Sequence, residues 1–301
     1  MSNRIIKIIK RPQLLFLTLG HREWFNWISD LTYLKIAFMI TMGKPLKLKN
    51  PQTFNEKLQW LKLYDRKPLY THLVDKYEVK LIVAKQIGED YIIPTFGVWN
   101  HFEDIDFTTL PNQFVLKCTH DSGGIIVCKD KRKFDIEKAS KKINTCLKHS
   151  FYWGMREWPY KNVKPRIIAE QYMEDDTQNG LNDYKVHCFN GVPKVILVCR
   201  DRFMGSGLTE DFFDLDWNHL MIKRPNHPNS NGILEKPKEL NEIIRLSSLL
   251  SKNLPFARVD FYIINHKVYF GEITFYPASG LKSFEPEEWD YTFGSWIKLP
   301  E

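Results

Sequence analysis

Two segments near the C-terminus carry the plainest chemistry in this sequence: Arg258-Val259-Asp260-Phe261-Tyr262 and Tyr269-Phe270-Gly271-Glu272-Ile273-Thr274. They meet at Asn265-His266 and read as the two strands of an antiparallel hairpin. Across such a ladder Asp260 and Glu272 face each other, and opposed carboxylates destabilise a sheet unless a cation lies between them. Hard carboxylate oxygens at that spacing suit Mg²⁺ of the kind that also holds phosphates. The competing reading is a pair of solvent-facing carboxylates, and the apolar flanks Val259, Phe261, Phe270 and Ile273 weigh against it.

A second constellation is Phe114-Val115-Leu116-Lys117, then His120-Asp121-Ser122-Gly123-Gly124, then Ile125-Ile126-Val127. A Lys at the end of an apolar strand is costly to turn inward without an anion. Adjacent glycines let backbone N–H groups approach phosphate oxygens closely. An ordinary hairpin with a snorkelling Lys is the alternative. The third is Arg166-Ile167-Ile168-Ala169-Glu170-Gln171-Tyr172-Met173-Glu174-Asp175, an apolar strand running into polar and acidic residues. Backbone groups at such a strand end can read an adenine edge, and a carboxylate there can hold a ribose. Walker A, Gly-x-Gly-x-x-Gly, His-Glu-x-x-His and Gly-x-Ser-x-Gly motifs are all missing. Of the nine His, only His120 stands in a chemically suggestive loop.

The elements that must position these groups follow from periodicity and turn residues. Residues 1–43 read as helical, with more apolar than polar residues. They pack on the body or, as a basic amphipathic segment, lie on a membrane surface. Thr53 and Glu56 form a capping box at the start of a helix, and a second helix runs from Pro68 to Gly88. Residues 44–110 look α/β. From Phe114 the texture changes to short strands: the glycine-loop hairpin, a basic helix over Ile136–Leu147, and a strand over Arg166–Met173. A hairpin then follows around Asn190-Gly191, with a helix over Leu240–Ser251 and the final hairpin. Residues 203–236 read as loop. This order predicts an α+β fold with mostly antiparallel sheet. The units expected are an N-terminal helical extension (1–43), an α/β domain (44–113), a lid subdomain (114–172) and a C-terminal subdomain (173–301).

The 301 residues are 43% hydrophobic and 26% charged, a globular profile. The net charge of +7 is segregated. Residues 1–50 hold nine Lys/Arg against two Asp/Glu, and residues 115–170 hold thirteen against six, on an acidic remainder. Such segregation implies two anionic contacts rather than a sticky surface. The basic run Lys131, Arg132, Lys133, Lys138, Lys141, Lys142 lacks interleaved aromatics for base stacking, which argues against nucleic acid. Five Cys without Cys-x-x-Cys argue against a zinc ribbon and for a reduced, cytoplasmic setting. The longest apolar stretches fall far short of the roughly 20 residues of a membrane span, and no signal peptide is read.

The ordered set resembles the TupA-like ATP-grasp family of bacterial capsule and cell-wall polysaccharide loci. The residues carrying the likeness are Thr53-Phe54-Asn55-Glu56-Lys57-Leu58-Gln59-Trp60, Asp75-Lys76-Tyr77, Leu110-Pro111 with Phe114-Val115-Leu116-Lys117, Asp183-Tyr184-Lys185, Cys188-Phe189-Asn190-Gly191, Arg258-Val259-Asp260 and Gly271-Glu272-Ile273-Thr274-Phe275. The resemblance implies an ATP-grasp fold clamping ATP between two α+β subdomains. It implies Lys117 on the ATP phosphates under a lid loop of His120, Ser122, Gly123 and Gly124. Glu170, Gln171, Tyr172 and Met173 become the adenine-facing linker, and Glu174 or Asp176 the ribose ligand. Lys185, Arg200 and Arg258 become the catalytic cations, the first two facing the phosphate tail or the acyl substrate. Asp260 and Glu272 would bind Mg²⁺. Thr274 stands where most of the superfamily has Asn, which leaves a second metal in doubt. The implied activity is an ATP-dependent carboxylate–amine ligase, through an acyl phosphate, amidating a surface-polysaccharide uronic acid with an amino acid. A sugar kinase and a glycosyltransferase-associated module are the alternatives, the last resting on Asp214-x-Asp216. The acceptor is expected near Phe213–Trp217 and Arg200–Arg202. The setting implied is cytoplasmic, peripheral at the inner face of the membrane through residues 1–43.

Overall fold

The computed structural model describes residues 13–175, 181–200, 207–225, 227–232 and 234–301. The described residues open with helices α1 (Leu14–Gly20) and α2 (Asp30–Met42). The Ser29 side chain caps α2, and Gly43 ends it in the left-handed conformation (φ 69°). Three helices follow: α3 (Phe54–Tyr64), α4 (Pro68–Val74) and α5 (Glu78–Ile87). The Thr53–Glu56 capping box is present at the start of α3, the Thr53 side chain accepting from Glu56 N while Glu56 accepts from Thr53 N.

Four strands form one antiparallel sheet: β1 (Thr95–Trp99), β2 (Phe114–Cys118), β3 (Ile125–Cys128) and β4 (Ile167–Gln171), in the order β1-β4-β2-β3. Strand β1 comes from the stretch grouped by sequence with residues 44–113, and it pairs with β4. Helix α6 (Ile136–Leu147) covers this sheet through Ala139 and Ile143, and the short α7 (Phe151–Met155) follows.

The second sheet contains β5 (Asp183–Phe189), β6 (Val192–Arg200), β7 (Thr209–Phe213), β8 (His219–Leu220), β9 (Phe256–Ile264) and β10 (Lys267–Thr274), in the order β10-β9-β5-β6-β7-β8. Its main core packs against α3–α5, α8 (Leu240–Leu250) and α9 (Glu288–Trp296). Both expected hairpin turns are present. Asn190 and Gly191 have φ of 50° and 79°, and Asn265 and His266 have 49° and 61°, the left-handed pair of a type I′ turn. Strands β7 and β8 fall inside the stretch read as loop. Thr209-Glu210-Asp211-Phe212-Phe213 is buried along its whole length, so its two carboxylates lie inside the protein and mask any alternating pattern.

In β9–β10 the register holds a bulge. Phe270 pairs with Phe261 and Glu272 with Asp260, leaving Gly271 as the extra residue. Without that insertion Glu272 would share a face with Phe270 and point into the core. The bulge turns it onto the face of Asp260.

Helix α9 crosses the start of α3 at Gly294, where an added Cβ would lie 2.2 Å from Gln52 O and 2.7 Å from Phe54 N. Because these are backbone atoms, Gly294→Ala is expected to destabilise by about 1–3 kcal/mol, read as a lowered urea midpoint with unchanged slope.

Candidate active site

Residues of both sheets and of the α4–α5 segment line one cleft of about 390 Å³. One wall is cationic. The connection from α4 to α5 is fixed by Asp75, which accepts from Tyr77 N (2.8 Å) and Glu78 N (3.1 Å) and pairs with Arg166 (2.7 Å) beside β4. This aims Lys76 and Lys80 into the cleft. The Lys76 ammonium donates to the Asp121 carbonyl. Lys80 donates to Ile93 O (2.8 Å) and Thr95 Oγ1 (3.1 Å) and pairs with Glu170 Oε1. Lys117, at the end of β2, pairs with Glu170 Oε2 at 2.5 Å. Burial raises the affinity of the Glu170 carboxyl for its proton, but the Lys117 and Lys80 charges outweigh it and hold the group at about 2. Three ammonium groups against one carboxylate leave this wall net positive and suited to a polyanion.

The opposite wall is the polar face of β5, β9 and β10. Arg258 grips Asp260 with both arms, Nε to Oδ1 and Nη2 to Oδ2, each 2.7 Å. Lys185 pairs with Asp260 Oδ2 at 2.6 Å and Asp183 Oδ2 at 3.3 Å. Arg258 Nη2 also donates to Thr274 Oγ1 (3.0 Å) and Glu272 Oε1 (3.2 Å). One cationic nitrogen is thus held by oxygens of Asp260, Glu272 and Thr274. The carboxylates raise the proton affinity of Arg258 over the opposing effect of burial. Two carboxylates and a hydroxyl converging on one positive charge are hard oxygen donors of the kind that could hold Mg²⁺.

The floor includes Ala278, which with Ser279 adopts a left-handed backbone (φ 49° and 56°) that costs non-glycine residues of order 1 kcal/mol or more each. Fully buried Lys62 holds this loop by donating to Ser279 O (2.7 Å) and Met155 O (3.0 Å), and burial draws its ammonium down to about 8. Ser279 Oγ donates to Glu157 at 2.6 Å.

Of the residues singled out from sequence, Lys117, Ser122, Glu170, Lys185, Arg258, Asp260 and Glu272 line the cleft together, and Thr274 joins them through Arg258. His120 is buried, with Nε2 3.2 Å from the carbonyls of Cys146 and His149. Gly123 N and Gly124 N both donate to Asp121 Oδ1 (3.2 and 2.9 Å), so a phosphate there would compete with that carboxylate. Behind this loop Cys118, Asp121 and Cys146 donor atoms lie within 4.8 Å of one another, a grouping that Cys spacing does not announce. Gln171 N donates to Pro94 O (2.9 Å), and Tyr172 packs under Lys129 (5.3 Å). Met173 and Glu174 follow without regular structure, and Asp176 lies outside the described residues. Arg200 is 3.7 Å from Asp211. Asp214 accepts from Asp216 N (3.0 Å) and Asn218 N (2.8 Å), so Asp214-x-Asp216 forms a turn, with Trp217 stacked on Phe213 at 4.3 Å.

Sequence reasoning assigned no role in the cleft to Lys80, Glu210, Arg224, His227 or Lys282. The one signal available was for Lys80, a lysine between Val79 and Leu81 on the buried side of a short helix.

The depressed Glu170 carboxyl makes stability depend on pH. The stabilisation it represents is complete above the unfolded carboxyl value of roughly 4.3 and is lost as pH falls towards about 2. Glu170→Gln is expected to lower stability at pH 7 and to flatten the decline between about pH 5 and 3, measured by urea midpoints across that range. Parallel pH profiles for the two proteins would show that Glu170 is not held by its lysines.

A comparison with curated proteins finds no match. Among solved structures, the chain is similar to D-alanine–D-alanine ligase from Bacillus anthracis complexed with ATP: 18% identity, 67% of this chain, 53% of that one, TM-score 0.39. It is similar to the Helicobacter pylori D-alanine–D-alanine ligase at 17% identity, over 81% and 69% of the two chains, TM-score 0.39. It is also similar to the biotin carboxylase domain of Hydrogenobacter thermophilus 2-oxoglutarate carboxylase, at 13% identity over 76% and 47%, TM-score 0.40. The chain spans only about half the length of the Bacillus anthracis ligase. These likenesses are distant. The sequence itself matches the TupA-like ATP-grasp family over residues 56–298, most of its length, and the chain belongs to that family.

Proposed function

We propose that this protein is an ATP-dependent carboxylate–amine ligase whose carboxylate substrate belongs to an anionic surface saccharide. The observation that carries the reading is the pairing of two walls in one cleft: Lys76, Lys80 and Lys117 on one side, and Asp260, Glu272 and Thr274 converging on a cation on the other. The first suits the phosphates of ATP. The second suits Mg²⁺, which when bound neutralises charge on phosphate oxygens.

The chain's own residues have these tasks. Glu170 fixes Lys117 and Lys80, so the phosphates meet oriented ammonium groups without reorganisation. Lys185 and Arg258, which line the same cleft, would neutralise a substrate carboxylate as it attacks the γ-phosphate. Attack by a carboxylate oxygen breaks the bond from the γ-phosphorus to the bridging oxygen, giving ADP and an acyl phosphate. An amine then forms the amide as inorganic phosphate leaves with the amine's proton. No enzyme nucleophile is needed, which suits a cleft lined with Lys, Arg, Asp and Glu.

Incubation with ATP, Mg²⁺, a glucuronic acid glycan and amino acids is expected to release ADP and yield an amide by intact mass. Lys117→Met and Glu272→Gln are each expected to lower ADP release about 100-fold or more. Nucleotide binding without ADP release for any acceptor pair would overturn the ligase reading. A phosphorylated glycan without amide would select a kinase.

We also propose that residues 1–43, of which 13–43 are described, rest on an anionic membrane surface. Among the described residues, no helix is long and apolar enough to cross a membrane. Yet Trp24 and Trp27 are 65% and 81% exposed, with Leu31, Ile36 and Met39 exposed nearby beside Arg22 and Lys35, and interfacial segments combine these residue types. The full chain is expected to sediment with phosphatidylglycerol vesicles and not with phosphatidylcholine vesicles. The double variant Trp24→Ser, Trp27→Ser is expected to lose that binding, and equal sedimentation of both proteins would refute the reading.

A further inference from the structure

The cleft continues past Lys185 to a group of side chains that neither the nucleotide wall nor the carboxylate wall uses: Glu210, Arg224, His227 and Lys282. The sheet places them. In register, Asp183 pairs with Cys199 and Cys199 with Glu210, so Glu210 stands on the same sheet two strands from β5.

Arg224 is the unusual member. It is 6% exposed, and its guanidinium packs against the rings of Phe284 (4.6 Å) and Phe212 (5.8 Å). Its Nε is buried without a hydrogen-bond partner, and among the described residues no ion pair or side-chain hydrogen bond reaches the guanidinium. Its backbone is firmly tied. The neighbouring Lys223 exchanges hydrogen bonds with Glu285 (2.8 and 2.9 Å), and His227 N donates to Arg224 O (3.2 Å). Burying a charge without a partner is expensive, and such groups are normally paired.

The carboxylate nearby, Glu210, supplies the largest opposing charge to Arg224 but makes no ion pair with it, and is contacted by two other side chains. His227 Nδ1 lies 2.5 Å from Glu210 Oε1, and Lys282 Nζ lies 3.5 Å from Glu210 Oε2 and 3.0 Å from His227 Nδ1. Burial pushes the Glu210 carboxyl up, but Arg224, His227 and Lys282 together keep it below its usual value. Arg224 and Lys282 against one carboxylate leave this part of the cleft with more cationic than anionic side chains, although burial lowers the proton affinity of Lys282. The nucleotide's phosphates have their own cations on the opposite wall, so this charge is left for another anion.

We propose that Arg224 and Lys282 form a carboxylate-binding subsite for one member of the substrate pair, with Glu210 and His227 holding Lys282 in place. The proposal rests on the ligase reading for the identity of its ligand, and on the orphaned Nε of a buried, cleft-lining guanidinium for its existence. A carboxylate with room for two parallel N–H donors matches Arg better than a neutral sugar hydroxyl does. Two sources share that chemistry: a uronate of the glycan and the carboxylate of an α-amino acid. The subsite lies across the sheet from Phe213–Trp217, where Asp214 is engaged in its own turn.

The test is thermal unfolding of the full chain with D-glucuronate, L-alanine or L-glutamate, against D-glucose and NaCl at matched ionic strength. At ten times Kd, one of the carboxylates is expected to raise Tm by about 2 °C over the controls. That increment should vanish in Arg224→Gln and in Lys282→Gln while the shift from a non-hydrolysable ATP analogue with Mg²⁺ persists. Should Arg224→Gln fail to fold, Lys282→Gln decides alone, since its side chain is partly exposed. A shift with glucuronate assigns the subsite to the sugar, and a shift with an amino acid assigns it to the amine donor. The proposal is overturned if no carboxylate exceeds glucose and NaCl, or if the increment survives in the variants. A carboxylate shift in a protein that never releases ADP would leave the subsite standing and remove the ligase reading. ADP release without a carboxylate shift would do the reverse.

Discussion

A carboxylate buried in the middle of a sheet must be matched by positive charge, and Asp260 organises the cleft around that demand. It is 3% exposed and sits on a central strand. Arg258 takes both its oxygens and Lys185 adds a third contact. Removing one partner from such a cluster leaves an uncompensated buried charge, at about 3–5 kcal/mol. The arrangement therefore holds two cations at fixed positions in the cleft, where anionic substrates would meet them. The same requirement operates on the facing wall, where Glu170 holds Lys80 and Lys117. Each wall is a carboxylate that fixes cations, and the imbalance differs in sign: net positive around Glu170, and rich in oxygen ligands around Asp260 and Glu272.

The backbone carries a matching set of compromises. The Gly271 bulge gives up one ladder position to bring Glu272 onto the face of Asp260. An added Cβ at Gly271 would lie 3.1 Å from Asp260 O, so glycine suits the close approach of the two strands. A few residues on, Ala278 and Ser279 keep left-handed backbones that only surrounding contacts can sustain, and buried Lys62 supplies one of them through Ser279 O. Departures from regular geometry thus gather within a few residues of the proposed ligand oxygens, where strain is held by the packing around it.

The elements legible in the sequence were those with local causes. Asn190-Gly191 and Asn265-His266 mark their turns because few residues tolerate positive φ, and the two long hairpins follow from them. The Thr53–Glu56 box marks a helix start through hydrogen bonds three residues apart. The opposition of Asp260 and Glu272 was also legible, although it depends on a bulge that alternation alone does not reveal. Strand β7 was not legible, because Glu210 and Asp211 are buried among partners distant in sequence: His227, Lys282, His219 and Ser230. Lys80 and Arg224 were missed for the same reason. Their meaning comes from Glu170 in the one case and from two phenylalanine rings and the more distant Glu210 in the other.

Charge shows the limit of composition most directly. The excess of basic residues over 115–170 invites the conclusion that this segment holds a polyanion. In the structure only Lys117 from that stretch reaches the cleft among the described residues, while Arg132, Lys133, Lys138, Lys141 and Lys142 are solvent-exposed. The other cleft cations come from helices, strands and connecting segments spread over residues 76–282. Exposed lysines on the outside of the four-stranded sheet are screened within about 8 Å at physiological salt and act on encounter rates. Buried ones fixed by a carboxylate act on bound substrate with far less screening. The exposed excess is therefore free to serve a different anion from the one in the cleft.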